Sequence, residues 1–149
     1  MVSNSCKYFK QEKISEIVAL DRQFPFIKKV IGTFACANVQ SYKLIETKED
    51  VSLEGQNLSG YKLLVDVSIK GEVEYIPQNS RGKVCFCPFE AIKTIFVVVP
   101  KSINEVDIKK IIKEEKFKIN PDILLADTIR LKKDLLQVFS LIFLNVEFI

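Results

Sequence analysis

The segment from Tyr61 to Ile76 alternates apolar and polar residues more regularly than any other part of the sequence. Its odd-numbered positions are apolar apart from Gly71, whereas most of its even-numbered positions carry charged or hydroxyl side chains. Because successive side chains of a strand point to opposite faces, this period of two predicts a long β-strand with one buried face. A helix would scatter the same apolar residues around its circumference. Gly71, on the buried face, predicts a bulge or bend.

Four further segments are rich in β-branched and aromatic residues, or alternate apolar with charged ones, which predicts additional strands. They are Val30 to Glu46, Val84 to Phe89, Thr94 to Val99 and Lys116 to Asn120. Pro25 restricts Phe24 to extended geometry and opens the first of these segments, whereas Pro100 ends the third. The connection at 77–82 contains Pro, Asn, Ser and Gly, a composition typical of a hairpin loop.

One helix is predicted after Pro100. Ser102 is followed three residues later by Glu105, which is the spacing of a capping box. Apolar side chains from Ile103 onwards could then line one face of a helix, with charges on the other. We therefore expect at most one short helix, near 103–114.

The last two apolar segments, Ile123 to Leu131 and Leu135 to Phe148, are most simply two strands joined at 132–134. A helix over 122–136 is the alternative. The final segment is apolar on both phases of a strand, and a strand of this kind is typically buried on both faces. We therefore expect the middle of the final strand to be covered on both sides. Its second apolar face consists of Phe139, Leu141 and Phe143.

Many strands joined by short connections, with at most one helix, predict an all-β fold, either an antiparallel β-sandwich or a partly open barrel. A length of 149 residues fits one domain with a substantial core. We therefore assign 1–149 to a single β domain. In this assignment 1–23 is an N-terminal lead-in and 101–149 supplies the closing strands.

The sequence contains no histidine, which excludes histidine-based catalytic triads, histidine-containing zinc sites and imidazole pH switches. The net charge of +3 is too small to predict binding to nucleic acid or to an anionic membrane. The isolated glycines form no phosphate-binding loop, and Glu72 and Glu74 share the polar face of a strand, as solvated side chains do. We therefore predict that the chain is not an enzyme and has no catalytic, cofactor-binding or metal-binding residues.

Cys85 and Cys87 form the most conspicuous short motif, since residues two apart on a strand point to the same face. Two thiolates could contact one metal ion, and Cys6 and Cys36 could complete a set of four. The spacing shows none of the paired C-x-x-C knuckles of a zinc site, and free cysteine behaves as a small apolar side chain. We interpret both as core residues, and a redox or metal role for them stays open.

No apolar stretch follows the basic N-terminal residues, which predicts that the chain has no signal peptide. The longest apolar region, Leu135 to Ile149, is interrupted by polar residues and is shorter than the ~20 residues of a membrane-spanning helix. We therefore expect no membrane insertion. Four cysteines without a secretion signal suit the reduced thiols of a cytoplasm.

The residues before and within the alternating strand form a longer motif: Glu54-Gly55-Gln56, Leu58-Ser59-Gly60, Lys62-Leu63 and the strand to Tyr75-Ile76. This motif resembles the core signature of the SPOCS domain, which occurs in spore-formation and spore-coat proteins of clostridia and related Firmicutes. The resemblance is strongest over 24–100 and looser over 116–148.

Three departures mark the chain as a divergent member of that family. The family often has Gly at the position of Val67 and His at the position of Cys85, and its Pro-Phe pair falls on Ile92-Lys93. The shared motif consists of turn glycines and strand residues rather than chemically reactive groups. The resemblance therefore implies a binding or assembly module and not an enzyme.

The function that the resemblance implies is non-enzymatic protein–protein interaction or assembly in spore morphogenesis or the spore coat. The expected partner is another protein or further copies of the chain, and no nucleic acid. The expected location is the mother-cell cytoplasm, with assembly at the spore surface. The alternative is a β-sandwich that binds a small ligand or a carbohydrate, which would need a concave site with exposed aromatic side chains.

Overall fold

Eight strands and one short helix make up the described part of the chain. The computed structural model describes residues 8–47, 60–79 and 82–149. The strands are β1 (Tyr8–Ala19), β2 (Ile27–Glu46), β3 (Tyr61–Pro77), β4 (Cys85–Val99), β5 (Ser102–Ile103), β6 (Val106–Asp107), β7 (Phe117–Lys132) and β8 (Leu135–Phe148). The helix, α1, spans Ile108–Lys113. The all-β class, with one short helix near 103–114, is confirmed.

The six long strands form two antiparallel sheets, which we name after their central strands. The β3 sheet has the order β2-β3-β4, and the β8 sheet has the order β1-β8-β7. Strand β2 lies beside β7, and β4 lies beside β1, so the sheets stack face to face without closing into a barrel. Each sheet therefore has an inner face that forms the shared core and an outer face that points away from it.

Strand β3 has the alternation expected from the sequence. It pairs with β2 on one side and β4 on the other over nearly its whole length. The apolar side chains of its predicted buried face are each at most 1% exposed, except Tyr61 at the start of the strand, which is half-buried; the buried ones are Leu63, Val65, Val67, Ile69, Val73 and Tyr75. The predicted strand and its buried face are thus confirmed.

Strands β4 and β7 are each longer than the sequence predicted. The predicted strands 84–89 and 94–99 are parts of one strand, because pairing with β3 is continuous between them. Ala91, opposite Ile69, is buried on the inner face in this connecting part. The runs 116–120 and 123–131 likewise belong to one strand, although Pro121 lies within it. A proline is tolerated there because β7 is an edge strand, where the missing N–H need not break a ladder hydrogen bond.

The N-terminal lead-in predicted over 1–23 contains strand β1, which pairs with β8 along its whole length. Ile14 is buried and Val18 half-buried on the inner face of the β8 sheet. The same phase of β1 also carries Glu12 and Glu16, so the sequence lacks the clean alternation that predicted β3. Hydrogen bonding to β8, rather than local composition, therefore makes this segment a strand.

The helix does not begin at the predicted capping box. Residues 102–107 form the small β5–β6 hairpin, in which Asn104 and Glu105 have left-handed backbone conformations with φ of 50° and 68°. The N-cap is Asp107, whose carboxylate accepts a hydrogen bond from the backbone N–H of Lys109 at 2.8 Å. The predicted capping box is therefore wrong. The alternative helix over 122–136 is also wrong, because these residues belong to β7, to the turn after it and to β8. No helix in the described ranges is long and apolar enough to cross a membrane.

Gly71 allows a close approach of two strands and does not mark a bulge. The register runs unbroken through Ala35, Gly71 and Phe89, so the predicted bulge is wrong. A Cβ atom at Gly71 would collide with the carbonyl oxygen of Phe34 and lie 2.7 Å from the Phe89 ring. The register shifts of the β3 sheet lie in its pairing with β2, at 27–29, 30–32 and 39–41.

We expect Gly71→Ala to destabilise the protein by about 3 kcal/mol, the upper end of the usual cost of overpacking. The new methyl group would have to displace backbone as well as the Phe89 ring. Gly32→Ala is the matched control, since its Cβ would lie 3.9 Å from the nearest atoms, those of the Phe34 ring. Urea unfolding of both variants measures the difference. Equal free energies of unfolding for the two variants would contradict this account of Gly71.

Candidate functional site

The thiols of Cys85 and Cys87 lie on the inner face of the β3 sheet. Cys87 is 3% exposed and Cys85 is half-buried, and they pair with Val73 and Tyr75 of β3. Cys36 is exposed on the outer face of the same sheet, so the sheet separates its thiol from that of Cys87. Cys6 lies outside the described residues. Within the described ranges, no three His, Cys, Asp or Glu side chains come together as a possible metal site.

Burial governs the chemistry of this part of the core. It raises the pKa of the Cys87 thiol, which disfavours the reactive thiolate. Burial and then the neighbouring Cys85 and Cys87 raise the pKa of Tyr75 to about 12. The Tyr75 hydroxyl donates a hydrogen bond to the carbonyl oxygen of Pro25 at 2.8 Å and so ties the start of β2 to the end of β3. Burial therefore favours the neutral forms of the Cys87 thiol and the Tyr75 hydroxyl.

Besides Glu72 and Glu74, the sequence has two pairs of adjacent carboxylates, Glu114-Glu115 and Glu49-Asp50, and the described ones lie at the surface. Glu72 and Glu74 are on the outer face of β3. After α1, Glu114 lies 3.1 Å from Lys116, while Glu115 accepts a hydrogen bond from the Tyr42 hydroxyl at 3.5 Å. The pair Glu49-Asp50 lies outside the described residues. Exposed pairs of this kind contribute little to stability and do not bring two carboxylates together for acid–base chemistry.

The outer face of the β8 sheet has an apolar central strand. We call it the β8 face. Its centre is formed by Phe139, Leu141 and Phe143, all half-buried, and β8 carries no charged side chain among them. Apolar side chains from the two flanking strands extend it, and the rings of Phe9 and Phe143 pack with their centroids 5.4 Å apart. These flanking residues are Phe9 and Ile17 of β1 and Leu125 and Ile129 of β7, each more than half exposed.

A shallow groove of about 450 Å³ crosses the middle of the β8 face. Its apolar floor is formed by Phe139, Leu141 and Leu125, and the side chains of Lys13 and Asp127 stand at its two rims. The sequence predicted that the middle of β8 would be covered on both sides. This prediction is wrong for the described chain, because nothing described there lies over the outer side of β8. An uncovered apolar strand centre is typical of a surface that another molecule covers.

The outer face of the β3 sheet is apolar at its margins but charged at its centre. Phe34 on β2 and Ile92 and Phe96 on β4 are exposed. Between them the outer side of β3 carries five charged side chains, interrupted by Leu64 and by the buried Ser68; the charged residues are Lys62, Asp66, Lys70, Glu72 and Glu74. Thr94 and Ser41 donate hydrogen bonds to the Asp66 carboxylate at 2.5 and 2.9 Å, and they lower its pKa. Covering this charged centre would cost desolvation, so the face suits solvent.

The edge strands of the two sheets contact each other where β2 lies beside β7. The hydroxyls of Thr33 on β2 and Thr128 on β7 share a hydrogen bond of 2.6 Å. The backbone N–H of Ile27, at the start of β2, donates to the carbonyl oxygen of Lys133, in the turn between β7 and β8, at 2.7 Å. An added strand would have to displace these contacts, so the edges are weaker candidates for binding than the β8 face.

We expect Cys87→Ser to destabilise the protein by about 1–3 kcal/mol, because the buried hydroxyl then needs a hydrogen-bond partner. Cys36→Ser is the matched control at an exposed thiol and should change stability by less than about 0.5 kcal/mol. Chemical denaturation measures both. In a Cys6→Ser background, a thiol reagent should label Cys36 rapidly and Cys87 only as the protein unfolds. Rapid labelling of Cys87 in the folded protein would contradict its burial.

We also expect the free energy of unfolding to fall as the pH rises from about 10 to about 12. In that window Tyr75 loses its proton in the unfolded chain, where its pKa is ordinary, but keeps it in the folded protein. The contribution of Tyr75 to the free energy of unfolding is therefore fully present below pH 10 and is lost as the pH approaches 12. Urea unfolding at several pH values should show a smaller fall for Tyr75→Phe than for the parent. An equal fall in both would contradict the assignment.

No family model, no curated protein and no solved structure matches this chain. The resemblance to the SPOCS domain therefore stays a prediction from the motif residues, and those from Glu54 to Ser59 lie outside the described part of the chain. The β8 face is the feature of the described chain that best indicates a function.

Proposed function

We propose that this chain is a non-enzymatic protein–protein interaction or assembly module. The observation that carries the proposal is the β8 face, whose apolar centre has no covering layer among the described residues. Contiguous apolar surface rimmed by polar residues is characteristic of protein interaction sites. Burying it against a partner would release water from aromatic and aliphatic side chains, which is the main driving force of most protein association.

The setting that we propose is spore morphogenesis or the spore coat, with the protein in the mother-cell cytoplasm and assembly at the spore surface. This part of the proposal rests on the resemblance of the motif around the alternating strand to the SPOCS domain. It is independent of the β8 face, so an interaction module outside sporulation would leave the structural argument intact.

Two properties of the chain support a non-enzymatic role. The sequence has no histidine to act as a general base near neutral pH. The buried thiol of Cys87 has a raised pKa, which suppresses the thiolate that a cysteine nucleophile needs. The net charge of +3 is also too small to support nucleic acid as the partner.

The alternative function, binding of a small ligand or carbohydrate, is supported less well. The groove on the β8 face has a volume in the range of ligand sites, about 300–1,000 Å³. Its outward polar side chains, Lys13, Ser15 and Asp127, are all exposed. A specific ligand site instead holds a few polar groups at fixed positions inside a concave pocket.

The proposal is tested by affinity capture from sporulating cells with the purified chain as bait. We expect the partner to be retained by the parent and lost by Leu125→Lys, which places a charge on the β8 face. Ile92→Lys is the matched control, since Ile92 is 66% and Leu125 58% exposed and the two lie on opposite sheets. Both variants should keep the melting temperature of the parent.

Salt separates this interaction from an electrostatic one. Because apolar burial is not screened by ions, we expect capture to persist between about 50 and 500 mM salt. Loss of the partner in that interval, or equal capture by the parent and Leu125→Lys, would contradict the role of the β8 face. Saturable turnover of a small substrate by the pure protein would contradict the non-enzymatic function.

A further inference from the structure

We propose that the β8 face binds a second copy of the chain in a twofold-symmetric dimer whose axis runs along β8. The inference deepens the proposed function, on which it rests, by naming the partner and the geometry. The evidence for it is the arrangement of charges on β1 and β7, which flank β8, together with the apolar centre between them.

The strand register places the outward side chains of the β8 face in rows that run across β1, β8 and β7. One row is Gln11, Phe143 and Asp122; the next is Lys13, Leu141 and Leu125; the third is Ser15, Phe139 and Asp127. In these three rows, β1 therefore presents one cation and two hydrogen-bonding side chains. The β7 side presents two carboxylates, one on each side of the Lys13 row.

Two face-to-face arrangements have a twofold axis in the plane of the interface. An axis across the strands would lay β1 on the second copy's β1 and β7 on its β7. Lys13 would then meet Lys13, and Asp122 would meet Asp127 of the second copy. These contacts arise when the axis passes through the row of Lys13, Leu141 and Leu125. Like charges brought together in this way oppose association, so the charge pattern disfavours that register.

An axis along β8 lays β1 on the β7 strand of the second copy. Each Lys13 then lies level with Leu125 of the other copy, between the carboxylates of Asp122 and Asp127. Gln11 and Ser15, which can donate hydrogen bonds, come opposite those two carboxylates. The apolar side chains of β8 meet their own copies along the axis. Within these three rows, charge complementarity and apolar burial are both satisfied, in the aligned geometry that packed sheets adopt. Glu147 shares this side of β8 but lies beyond the end of β1, next to Lys118 of its own chain.

These charges are not already paired within one chain. Strand β8 lies between Lys13 and Asp127, which separates their backbones by about 10 Å, or two strand spacings. Neither side chain forms an ion pair with another described residue. Asp127 accepts one hydrogen bond, from the backbone N–H of Thr128 at 2.8 Å. A second copy would bring carboxylates within reach of Lys13.

The area of the face sets the size class of the expected interface. The three strands overlap along the 12 residues of β1. At ~3.4 Å per residue and ~4.8 Å per strand this is about 40 by 15 Å, or roughly 600 Å² per copy. The total of about 1,200 Å² is the lower bound of a standard protein interface. Interfaces at this lower bound are often weak, so the test is set for a dimer with a Kd on the order of 10 µM.

Analytical ultracentrifugation of the full chain from about 5 to about 500 µM tests the dimer. The parent should pass from monomer to dimer in this range. Leu125→Lys should raise the Kd by roughly 10-fold or more, while Ile92→Lys on the other sheet should leave it unchanged. A parent that stays monomeric at the highest concentration, or a dimer weakened by Ile92→Lys and not by Leu125→Lys, would overturn the proposal.

The axis is tested by mixing two charge variants. Lys13→Glu alone and Asp127→Lys alone should each dimerise roughly 10-fold more weakly than the parent, because each places like charges opposite one another. In a mixed dimer, the carboxylate introduced on β1 of one copy faces the ammonium group introduced on β7 of the other. The symmetry-related contact between β7 of the first copy and β1 of the second keeps the original Asp127 and Lys13. The mixture should therefore form a heterodimer tighter than either homodimer. A mixture no tighter than the single variants would overturn the axis along β8.

The outcomes also separate this inference from the proposed function. If the parent is monomeric but capture from cells recovers a different protein that Leu125→Lys loses, the dimer is wrong and the interaction module stands. If the parent is monomeric and Leu125→Lys changes no capture, both are wrong.

Discussion

The burial of the inner face of β3 is the constraint on which the rest of the structure depends. This strand is central in its sheet, and its inward side chains are almost completely removed from water. A slip of one residue in its register would turn all of them outward and bring charged residues into the core. The β8 sheet supplies the opposite wall of the core, with buried residues such as Leu136, Ile142 and Leu144. The stacking of the two sheets thus follows from the need of two apolar faces to cover each other.

The parts of the fold that the sequence predicted are those in which one strand face is uniformly apolar. The alternation of β3 identified its length, its buried face and its position in the core. Strand β1 was missed because Glu12 and Glu16 share the phase of Ile14, and only pairing with β8 makes it a strand. The capping box failed for a similar reason. Ser102 and Glu105 have the right spacing, but a two-strand hairpin occupies them and Asp107 takes the cap.

The candidate site was only half visible in the sequence. The two apolar phases of β8 were evident, and Phe139, Leu141 and Phe143 were recognised as a second apolar face. Local composition could not say which molecule covers that face, because burial by another part of the chain and burial by a partner demand the same residues. The relation between Lys13 and Asp127 is evident only from the strand register. The register places these two residues, which are distant in sequence, on either side of β8.

The pairing of β1 with β8 has a consequence for how the chain folds during synthesis. The β3 sheet is a meander of consecutive strands and can assemble from neighbouring segments. The β8 sheet joins strands from nearly opposite ends of the described sequence, so β1 has no hydrogen-bonding neighbour until β8 has left the ribosome. Such non-local pairing is slow, and the inner face of the β3 sheet stays exposed in the meantime. Nascent chains should therefore depend on chaperones that shield apolar strands until the last strand arrives.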